Sequence, residues 1–491
     1  LSLGAILAPV ALAASADEWK SRSIYQLVTD RFANTKDSNA ECNSEDRKYC
    51  GGSYQGVIAQ LDYIQKMGFD AVWVSPITKN VDGETANGYA YHGYWPDDIN
   101  KLNDNFGSAD DLKALAKALH AKDMYLMVDV VVNHLVAVPT STDIPQSFDY
   151  STLQPFSESS DYHTQCFITD YNNQTEVEQC WLGDSKLPLM DINTEDSSII
   201  STYNDWISKL VSDYDIDGIR IDTVKHIRPD FWPAFVKAAG VYTIGEVLHG
   251  DPDYVKNWAE VMDGLLDYPS FYPLSRAFYN TSGSMSELAT TYTETQSAFK
   301  NGLHASGSFL ENHDNARFQS HTTDSGLVAN AVAWPFVNDG IPILYYGQEQ
   351  GYQGAEDPYN REALWFSGYS QDKTLYTQVK ALNAARKLAI SKDSSYTSTA
   401  SKFISQDNSN VLAISKGPLV TLLTNAGSSG SATWKIPSGT FDNGDVVDIL
   451  TCKSWTVNGD LSLDATNGQP RVLMAKSNLD STLCSDTTDA A

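Results

Sequence analysis

Three short apolar runs in this chain each end in a carboxylate that could take part in catalysis. Asp222 closes the run "DGIRID", Glu246 closes "VYTIGE", and Asp314 closes "GSFLENHD". Hydrolysis of an acetal requires two carboxyl groups in different protonation states. One is ionised and attacks the acetal carbon, and the other is protonated and delivers its proton to the leaving oxygen. The sequence therefore predicts acetal hydrolysis, provided that these side chains meet.

Arg220 precedes Asp222 by two positions in the same run. Residues two apart on a strand point to the same side, so the guanidinium should favour the ionised form of Asp222. Glu246, on an apolar strand and near other carboxylates, should instead be pushed toward protonation. Taken singly, each residue has a competing interpretation as a structural ion pair or a helix cap. Only their joint arrangement favours catalysis.

Eight short β-rich runs recur along the chain, with helical patterns between most of them. The helical segment "SADDLKALAKALHAK" repeats leucine and alanine at intervals of three and four, and Ser108 is its predicted N-cap. Alternating buried strands and helices indicate an α/β fold, and eight units favour a (β/α)8 TIM barrel. Active sites of such barrels lie at the C-terminal strand ends, which would bring the three carboxylates together. The runs begin at Ile24, Phe69, Met124, Asp217, Val241, Asp263, Gly307 and Gly340.

Two segments depart from this alternation. The stretch from His134 to Asp191 is too long for a structureless loop and indicates an inserted small domain after the third strand. After about residue 396, alternating runs with Gly, Ser and Asn turns indicate an all-β C-terminal sandwich. The predicted organisation is a barrel of residues 16–133 and 192–395, an inserted domain of residues 134–191, and a C-terminal domain of residues 396–491.

The first residues, "LSLGAILAPVALAASADEW", are apolar and contain the small-residue triplet "ALA" at positions 11–13. We interpret residues 1–15 as a residual signal peptide, with an ordered N-terminal helix as the alternative. No other stretch of the sequence is long and apolar enough to span a bilayer. The sequence therefore predicts a secreted, extracellular protein.

Six cysteines agree with an oxidising compartment. Their grouping suggests that neighbours pair, Cys42 with Cys50, Cys166 with Cys180 and Cys452 with Cys484, although six cysteines allow 15 pairings and sequence does not choose among them. The absence of CxxC and HExxH patterns argues against a zinc site. Asn173 and Asn280 lie in the sequences NQT and NTS and are glycosylation acceptors if they are exposed.

The net charge of the chain indicates which kinds of molecule it could bind. A net charge of −28 at pH 7 repels nucleic acid and anionic membranes, and leaves neutral substrates or cations. The 26 tyrosines and 11 tryptophans would suit a ligand with flat apolar faces, such as a sugar.

Four motifs in this chain resemble the signature regions of the α-amylase family of glycoside hydrolases. They are "DVVVNH" from Asp129, "GIRIDTVKH" from Gly218, "GEV" from Gly245 and "ENHDN" from Glu311. The chain is also similar to secreted fungal α-amylases from about residue 18 to the final cysteine, through stretches such as "LDYIQKMGFDAVWVSP" and "DGIPILYYGQEQ". No long low-complexity linker follows the barrel, so an appended starch-binding module is not expected.

The resemblance implies roles for the matching positions. Asp222 would be the nucleophile, Glu246 the general acid and base, and Asp314 the carboxylate that stabilises the transition state. Calcium would be bound by Asn133, Glu178, Asp191 and the backbone carbonyl of His226, which are oxygen donors that this cation prefers. The implied substrate-binding residues are Tyr94, His134, Arg220, Lys225, His226, His313, Asp357 and Arg361.

The resulting hypothesis is a secreted, monomeric, endo-acting α-amylase that cleaves internal α-1,4-glucosidic bonds with retention of configuration. Its partners would be starch, amylose, amylopectin, glycogen and malto-oligosaccharides, and neither nucleic acid nor a membrane. A maltogenic, transglycosylating or exo-acting relative with the same three carboxylates is a close alternative, because loops set these properties. A non-catalytic binding protein on the same barrel is a further alternative, against which the presence of all three carboxylates weighs.

Overall fold

Eight parallel strands form one sheet that closes on itself. The computed structural model describes residues 14–35, 40–141, 143–405, 410–480, 483–484 and 488–489. The strands are β1 (Ile24–Leu27), β2 (Ala71–Val74), β3 (Tyr125–Val130), β4 (Gly218–Ile221), β5 (Tyr242–Gly245), β6 (Gly264–Leu265), β7 (Gly307–Phe309) and β8 (Ile341–Tyr345). They pair in the order β6-β5-β4-β3-β2-β1-β8-β7, and a parallel bridge between Leu266 and Gly307 closes the ring. Each of the eight predicted runs contains a strand of this barrel, which confirms the (β/α)8 fold.

Helices cover the outer face of the barrel and account for the apolar character of its strands. The helix Ala109–His120 begins at the predicted N-cap Ser108, whose hydroxyl accepts from the Asp111 amide while the Asp111 carboxylate accepts from the Ser108 amide. The leucines of this helix are buried against the barrel, as their spacing predicts. The other covering helices are Tyr54–Ala59, Leu61–Lys66, Ser197–Tyr214, Trp232–Ala239, Pro252–Ala259, Tyr268–Phe278, Met285–Ala298, Ser325–Val337 and Thr374–Lys392.

The segment between β3 and the helix Ser197–Tyr214 carries its own small sheet. The strand Pro188–Asp191 pairs antiparallel with His134–Leu135 on one side and Leu182–Gly183 on the other. The helix Gln174–Gln179 lies in the same segment. The chain therefore has an ordered insert after its third barrel strand, as expected. The exact domain boundaries stay predictions.

The described residues after the helix Thr374–Lys392 form two β-sheets and one short helical turn, Lys476–Asn478. Trp434 and Leu463 of the small sheet pack with Val420 and Leu422 of the large one. This confirms an all-β C-terminal domain. The large sheet contains, in spatial order, Lys402–Ser405, Val411–Lys416, Leu419–Thr424, Arg471–Ala475, Gly444–Asp448, Lys453–Val457 and Thr488–Asp489; the small one pairs Thr433–Ile436 with Leu461–Asp464.

The predicted signal peptide falls almost wholly outside the described residues, which begin at Ala14. From there the chain belongs to the folded part: the carbonyl of Ala14 accepts a hydrogen bond from the Tyr242 amide, and Ser15 caps the helix Ala16–Trp19. Trp19 is fully buried and stacks on Tyr242. This helix therefore closes the N-terminal end of the barrel, opposite the strand ends that carry the carboxylates.

All six cysteines form disulfides with their neighbours, in the pairing that their grouping suggested. Asn173 and Asn280 are both exposed, so the condition for glycosylation is met, while attachment of a glycan stays a prediction. Within the described ranges, no helix is long and apolar enough to cross a membrane.

Candidate active site

Asp222, Glu246 and Asp314 line one cleft at the C-terminal end of the barrel. Asp222 directly follows β4, Glu246 directly follows β5, and Asp314 lies in the loop after β7. The cleft has a volume of about 380 Å³, within the range of small-molecule sites. The barrel thus brings three carboxylates from three strands to one cavity.

Arg220 is the cation that joins two of these carboxylates. Its Nη1 lies 2.8 Å from Asp222 Oδ1 and its Nη2 lies 3.0 Å from Glu246 Oε2. The side chain of Arg220 is only 1% exposed, whereas those of Asp222 and Glu246 are 10% and 7% exposed. The contact with Asp222 is the one predicted from strand spacing. The contact with Glu246 was not predicted, and it places the two carboxyl groups side by side.

The surroundings of Glu246 favour its protonated form despite its arginine neighbour. Burial, against the opposing charge of Arg220 and together with the nearby carboxylates of Asp222 and Asp314, raises the pKa of Glu246 to about 8. Desolvation therefore outweighs the ion pair, as the sequence pattern indicated. A protonated Glu246 beside Asp222 is the pairing that acetal hydrolysis requires.

This protonation state predicts the alkaline side of the pH profile. Because the protonated form is the acid, kcat/KM should fall as the pH rises through about 8, the pKa of Glu246. The measurement is initial rates on soluble starch from pH 5 to pH 10. Residual activity of a Glu246→Gln variant serves as the control and should lack this descending limb. A limb that starts near pH 5, close to an ordinary carboxyl pKa, would contradict the assignment.

Thr223 fixes both carboxylates from a strained backbone conformation. Its φ of 50° lies in the left-handed region, which β-branched residues rarely adopt. In this conformation the Thr223 amide donates to Glu246 Oε2 at 3.0 Å, and its hydroxyl donates to Asp222 Oδ2 at 3.1 Å. Such strain is typical of functional sites, where the surrounding structure holds it in place.

Asp129 lies beneath the site, and sequence reasoning assigned it no role. It is 1% exposed and accepts hydrogen bonds from Arg220, from the Trp73 indole at 3.1 Å and from the Tyr94 hydroxyl at 2.7 Å. Burial raises the pKa of Asp129 to about 7, against the opposing charge of Arg220. Asp129 therefore orients Arg220 and Tyr94 from below the cleft. Its position at the end of β3, in line with Arg220 on β4, was the available signal.

His313 and Arg361 surround Asp314 on the other side of the cleft. Gln26 Nε2 donates to His313 Nδ1 at 2.9 Å, which leaves the proton on Nε2, 3.3 Å from Asp314 Oδ2. Burial and the charge of Arg361 hold the pKa of His313 well below its usual value, so its ring is neutral. Asp314 is more open than the other two carboxylates, with 31% of its side chain exposed. It is available to accept hydrogen bonds from a ligand in the cleft.

Tyr94 lies beside these groups and is fixed through its ring and through its backbone carbonyl. Its ring lies parallel to that of His313, with centroids 5.0 Å apart and an interplanar angle of 7°. Its carbonyl oxygen lies 3.1 Å from His134 Nε2. Tyr94, His134 and His313 all line the cleft, so the structure brings these three predicted substrate-binding residues together with the carboxylates.

Asp357 and Arg361 also line the cleft and form an ion pair at 3.0 Å. Lys225 and His226, although predicted to bind substrate, are not among the residues that line the cleft. The ammonium of Lys225 donates to the carbonyl of Leu248 at 3.0 Å, and the ring of His226 contacts the carbonyl of Val177 on the insert at 3.1 Å. His226 therefore joins the insert to the barrel.

Further lining residues were missed by sequence reasoning. Trp95 follows Tyr94 and Thr223 follows Asp222, so adjacency to a recognised residue could have found them. Leu182 and Leu189 come from the insert, and no pattern in the sequence shows that its small sheet borders the cleft. The missed residues are Arg47, His92, Trp95, Leu182, Leu189, Thr223 and Leu248.

Two of the four expected calcium ligands carry buried oxygens without a hydrogen-bond partner, Asn133 Oδ1 and Asp191 Oδ1. The two residues are neighbours, since the amide of Ile192 donates to the carbonyl of Asn133 at 3.0 Å. Unpartnered buried oxygens are costly, and they are the donors that calcium prefers. These two residues therefore fit a calcium ion.

The other two expected ligands are less distinctive. The carboxylate of Glu178 accepts a hydrogen bond from Gln174 Nε2 at 2.7 Å, and His226 would contribute only its backbone carbonyl. Among the described residues, no group of three or more His, Cys, Asp or Glu side chains is arranged to hold a metal ion. Such a site would thus depend on amide and carbonyl oxygens as well as on carboxylates.

Comparison with known protein families shows to which family this chain belongs. The profile described as "Alpha amylase, catalytic domain" matches residues 26–410, and that described as "Alpha-amylase, domain C" matches residues 403–491. The chain belongs to the α-amylase family of glycoside hydrolases, which confirms the resemblance seen in its motifs.

Individual relatives are similar over nearly their whole length. The α-amylase of Saccharomycopsis fibuligera is 47% identical over 463 residues, covering 94% of this chain and 92% of that protein. The structure of an α-amylase from Malbranchea cinnamomea is 45% identical with a TM-score of 0.92, covering 96% of this chain and 100% of that one. An α-amylase from Geobacillus thermoleovorans, solved in complex with acarbose, is 27% identical with a TM-score of 0.78, covering 93% and 98%.

Proposed function

We propose that this protein is an endo-acting α-amylase that hydrolyses internal α-1,4-glucosidic bonds of starch with retention of configuration. The observation that carries the proposal is the contact of Arg220 with both Asp222 and Glu246 in an open cleft. Retaining enzymes need two carboxyl groups about 5 to 5.5 Å apart, and a shared guanidinium holds the pair close together. Membership of the α-amylase family supports the substrate class.

In the first step, Glu246 gives its proton to the glycosidic oxygen while a carboxylate oxygen of Asp222 forms a bond to C1 of the sugar. The bond between C1 and the leaving oxygen breaks, and an ester joins the sugar to Asp222. In the second step, Glu246 takes a proton from water, and the water oxygen attacks C1 and displaces Asp222. Both carboxyl groups then return to their starting states.

The remaining cleft residues bind and orient the sugar. Asp314, His134 and His313 hydrogen-bond to its hydroxyl groups at the cleavage point, and the ring of Tyr94 stacks on it. Asp357 and Arg361 hold the next glucose unit toward the non-reducing end, while Lys225 and His226 face the leaving-group side. Arg220 holds the Asp222 carboxylate in position through the 2.8 Å contact.

Calcium is part of the proposal, because enzymes of this family commonly bind it and the buried oxygens of Asn133 and Asp191 fit it. Glu178 and the His226 carbonyl would complete the ligand set. When bound, the ion would supply positive charge to these oxygens and tie the insert to the barrel beside the cleft.

Removal of calcium should therefore lower the melting temperature. An ion that binds only the folded state stabilises it by about 2.7 kcal/mol at a concentration one hundred times its Kd. Thermal unfolding in excess chelator, compared with unfolding in calcium, measures the effect. An Asp191→Asn variant is the control and should show a smaller difference between the two conditions. Identical melting curves with and without chelator would contradict the calcium site.

The proposal includes secretion as a monomer acting on starch, amylose, amylopectin, glycogen and malto-oligosaccharides. Three disulfides support an oxidising compartment. The net charge of −28 gives no attraction to nucleic acid or anionic lipid.

Product analysis distinguishes endo attack from its alternatives. Early digestion of amylose should release a mixture of long oligosaccharides, with a rapid fall in iodine staining, because the cleft is open to internal chain segments. Chromatography of the products at low conversion measures this. Release of maltose or glucose alone from the outset, with iodine staining retained, would contradict endo action and favour an exo-acting or maltogenic enzyme.

A further inference from the structure

A glutamine side chain lies inside the barrel, below the catalytic cleft. Gln26 belongs to β1 and is only 3% exposed. Side chains two apart on a strand share a face, so Gln26 points the same way as Ile24, which packs with Trp73 and Ile343 in the barrel interior. A buried amide is costly unless its polar atoms are hydrogen-bonded. The position of Gln26 therefore requires a specific partner.

That partner is His313, one of the residues that line the cleft. Gln26 Nε2 lies 2.9 Å from His313 Nδ1. An amide NH2 group only donates, so Nδ1 accepts and the proton of the neutral ring lies on Nε2. With the amide turned over, its oxygen would face Nδ1, and Nε2 would have no proton although it lies 3.3 Å from the carboxylate of Asp314. Repulsion between that lone pair and the carboxylate disfavours the turned orientation.

The place of the His313 ring is fixed by other contacts. The ring stacks on Tyr94 with centroids 5.0 Å apart, and it lies nearly perpendicular to the ring of Trp73, with centroids 6.4 Å apart. The backbone carbonyl of His313 accepts from Asn360 Nδ2 at 2.9 Å and from Arg361 Nε at 3.1 Å. These contacts determine where the ring lies, whereas the hydrogen bond from the amide determines which ring nitrogen carries the proton.

The tautomer matters because the ring of His313 is neutral. Burial and the positive charge of Arg361, with a smaller contribution from Arg220, hold the pKa of His313 well below its usual value. The carboxylates of Asp222 and Asp357 oppose this effect without reversing it. The other titratable groups near the ring are Asp314, Tyr94 and His92.

We propose that Gln26 is a positioning residue, which fixes His313 as a hydrogen-bond donor at Nε2 toward the sugar in the cleft. The inference rests on the proposed function, in which His313 hydrogen-bonds to a sugar hydroxyl. A hydroxyl between His313 and Asp314 then accepts from Nε2 and donates to the carboxylate, so both of its hydrogen bonds have a fixed direction. The other tautomer would leave two acceptors facing that hydroxyl, which has only one proton to donate.

Gln26→Glu tests this role, because a carboxyl group can replace the amide donor only while it shares a proton with His313. At low pH the introduced carboxyl group and Nδ1 share one proton, and Nε2 still donates. When that proton is lost, the proton left on the ring moves to Nδ1, next to the carboxylate, and Nε2 no longer donates. We expect the ratio of kcat/KM on starch, variant to unaltered protein, to be highest at pH 5 and to fall about tenfold by pH 10.

The added negative charge alone would act in the opposite direction, since it would raise the pKa of Glu246 and keep that acid protonated to higher pH. Gln26→Leu removes the donor without adding charge, so its kcat/KM should be about threefold lower with a ratio that does not change with pH. The matched control is Gln65→Glu, at an exposed position on the helix Leu61–Lys66, and its ratio should stay at one. A constant ratio for Gln26→Glu, or the same fall with pH for Gln26→Leu, would overturn the positioning role.

Nitrogen-15 NMR of protein labelled at histidine separates this inference from the proposed function, because it identifies the tautomer without turnover. The protonated and the bare nitrogen of a neutral imidazole have well-separated shifts, and a His313→Asn variant identifies the signals of this ring. The unaltered protein should carry the proton on Nε2, and Gln26→Glu should carry it on Nδ1 at high pH. A proton on Nδ1 in the unaltered protein would overturn the inference. If the unaltered protein fails to hydrolyse starch while the spectra are as expected, the proposed function fails and the control of His313 by Gln26 stands.

Discussion

Replacing Glu246 by glutamine is expected to lower kcat on starch by about 10²- to 10⁴-fold while starch still binds. Glutamine keeps the shape of the side chain but has no acidic proton for the glycosidic oxygen and cannot act as a base toward water. The Thr223 amide, which lies 3.0 Å from Glu246 Oε2, can still donate to the amide oxygen of glutamine. Steady-state kinetics on soluble starch and affinity electrophoresis in starch gels measure the two quantities.

The matched control for this variant is Glu260→Gln, since Glu260 is an exposed glutamate outside the cleft. It should have the kcat and the starch affinity of the unaltered protein. A Glu246→Gln variant with unchanged kcat would remove the acid and base role from this residue. A variant that lost starch binding as strongly as turnover would show that Glu246 serves to bind substrate.

Replacing Arg220 by alanine is expected to lower the free energy of unfolding by about 3 to 5 kcal/mol, the usual cost of removing one partner from a buried ion pair. The reason is that Asp129, Asp222 and Glu246 all contact this one guanidinium. Activity should fall as well, because Asp222 and Glu246 lose the guanidinium that holds them next to each other. Urea unfolding followed by circular dichroism, together with kcat/KM on starch, measures both effects.

Arg276→Ala is the matched control, because the ion pair of Arg276 with Glu287 lies at the surface, with 53% and 42% of the two side chains exposed. Surface pairs contribute about 1 kcal/mol or less. If Arg220→Ala fails to fold, Arg220→Lys can be measured in its place, because lysine keeps the charge but loses the forked geometry of the guanidinium. Its loss of stability should lie between the loss of about 3 to 5 kcal/mol expected for Arg220→Ala and the loss measured for Arg276→Ala. A loss of stability in Arg220→Ala as small as that of Arg276→Ala would contradict the account of a shared buried cation.

The barrel and its three carboxylates could be predicted from the sequence because both follow from local patterns. The run that contains Arg220 and Asp222 shows its own periodicity, and strand ends of a closed parallel barrel meet on one face. Once the eight runs are counted, each carboxylate is therefore predicted to lie at the C-terminal end of its strand, on that face. The N-cap at Ser108 was equally local, since the capping residues lie within one turn of each other.

Contacts between distant segments could not be predicted in this way. The sequence indicated that Glu246 would be near other carboxylates. It did not indicate that Arg220, on the neighbouring strand, would contact Glu246. Leu182 reaches the cleft through the fold of the insert, and Arg47 reaches it from the loop that the Cys42–Cys50 disulfide closes. Both placements depend on tertiary packing that leaves no periodic signal. The expected calcium ligands likewise came from family resemblance alone, because scattered oxygen donors have no fixed spacing.

The most direct test of the central claim is the configuration of newly released sugar. Proton NMR recorded during the first minutes of starch hydrolysis, before mutarotation, distinguishes the two anomers at the new reducing ends. If Asp222 attacks and water then displaces it, two inversions at C1 leave the α-anomer. Initial release of the β-anomer would mean a single displacement by water and would contradict the assignment of Asp222 as nucleophile.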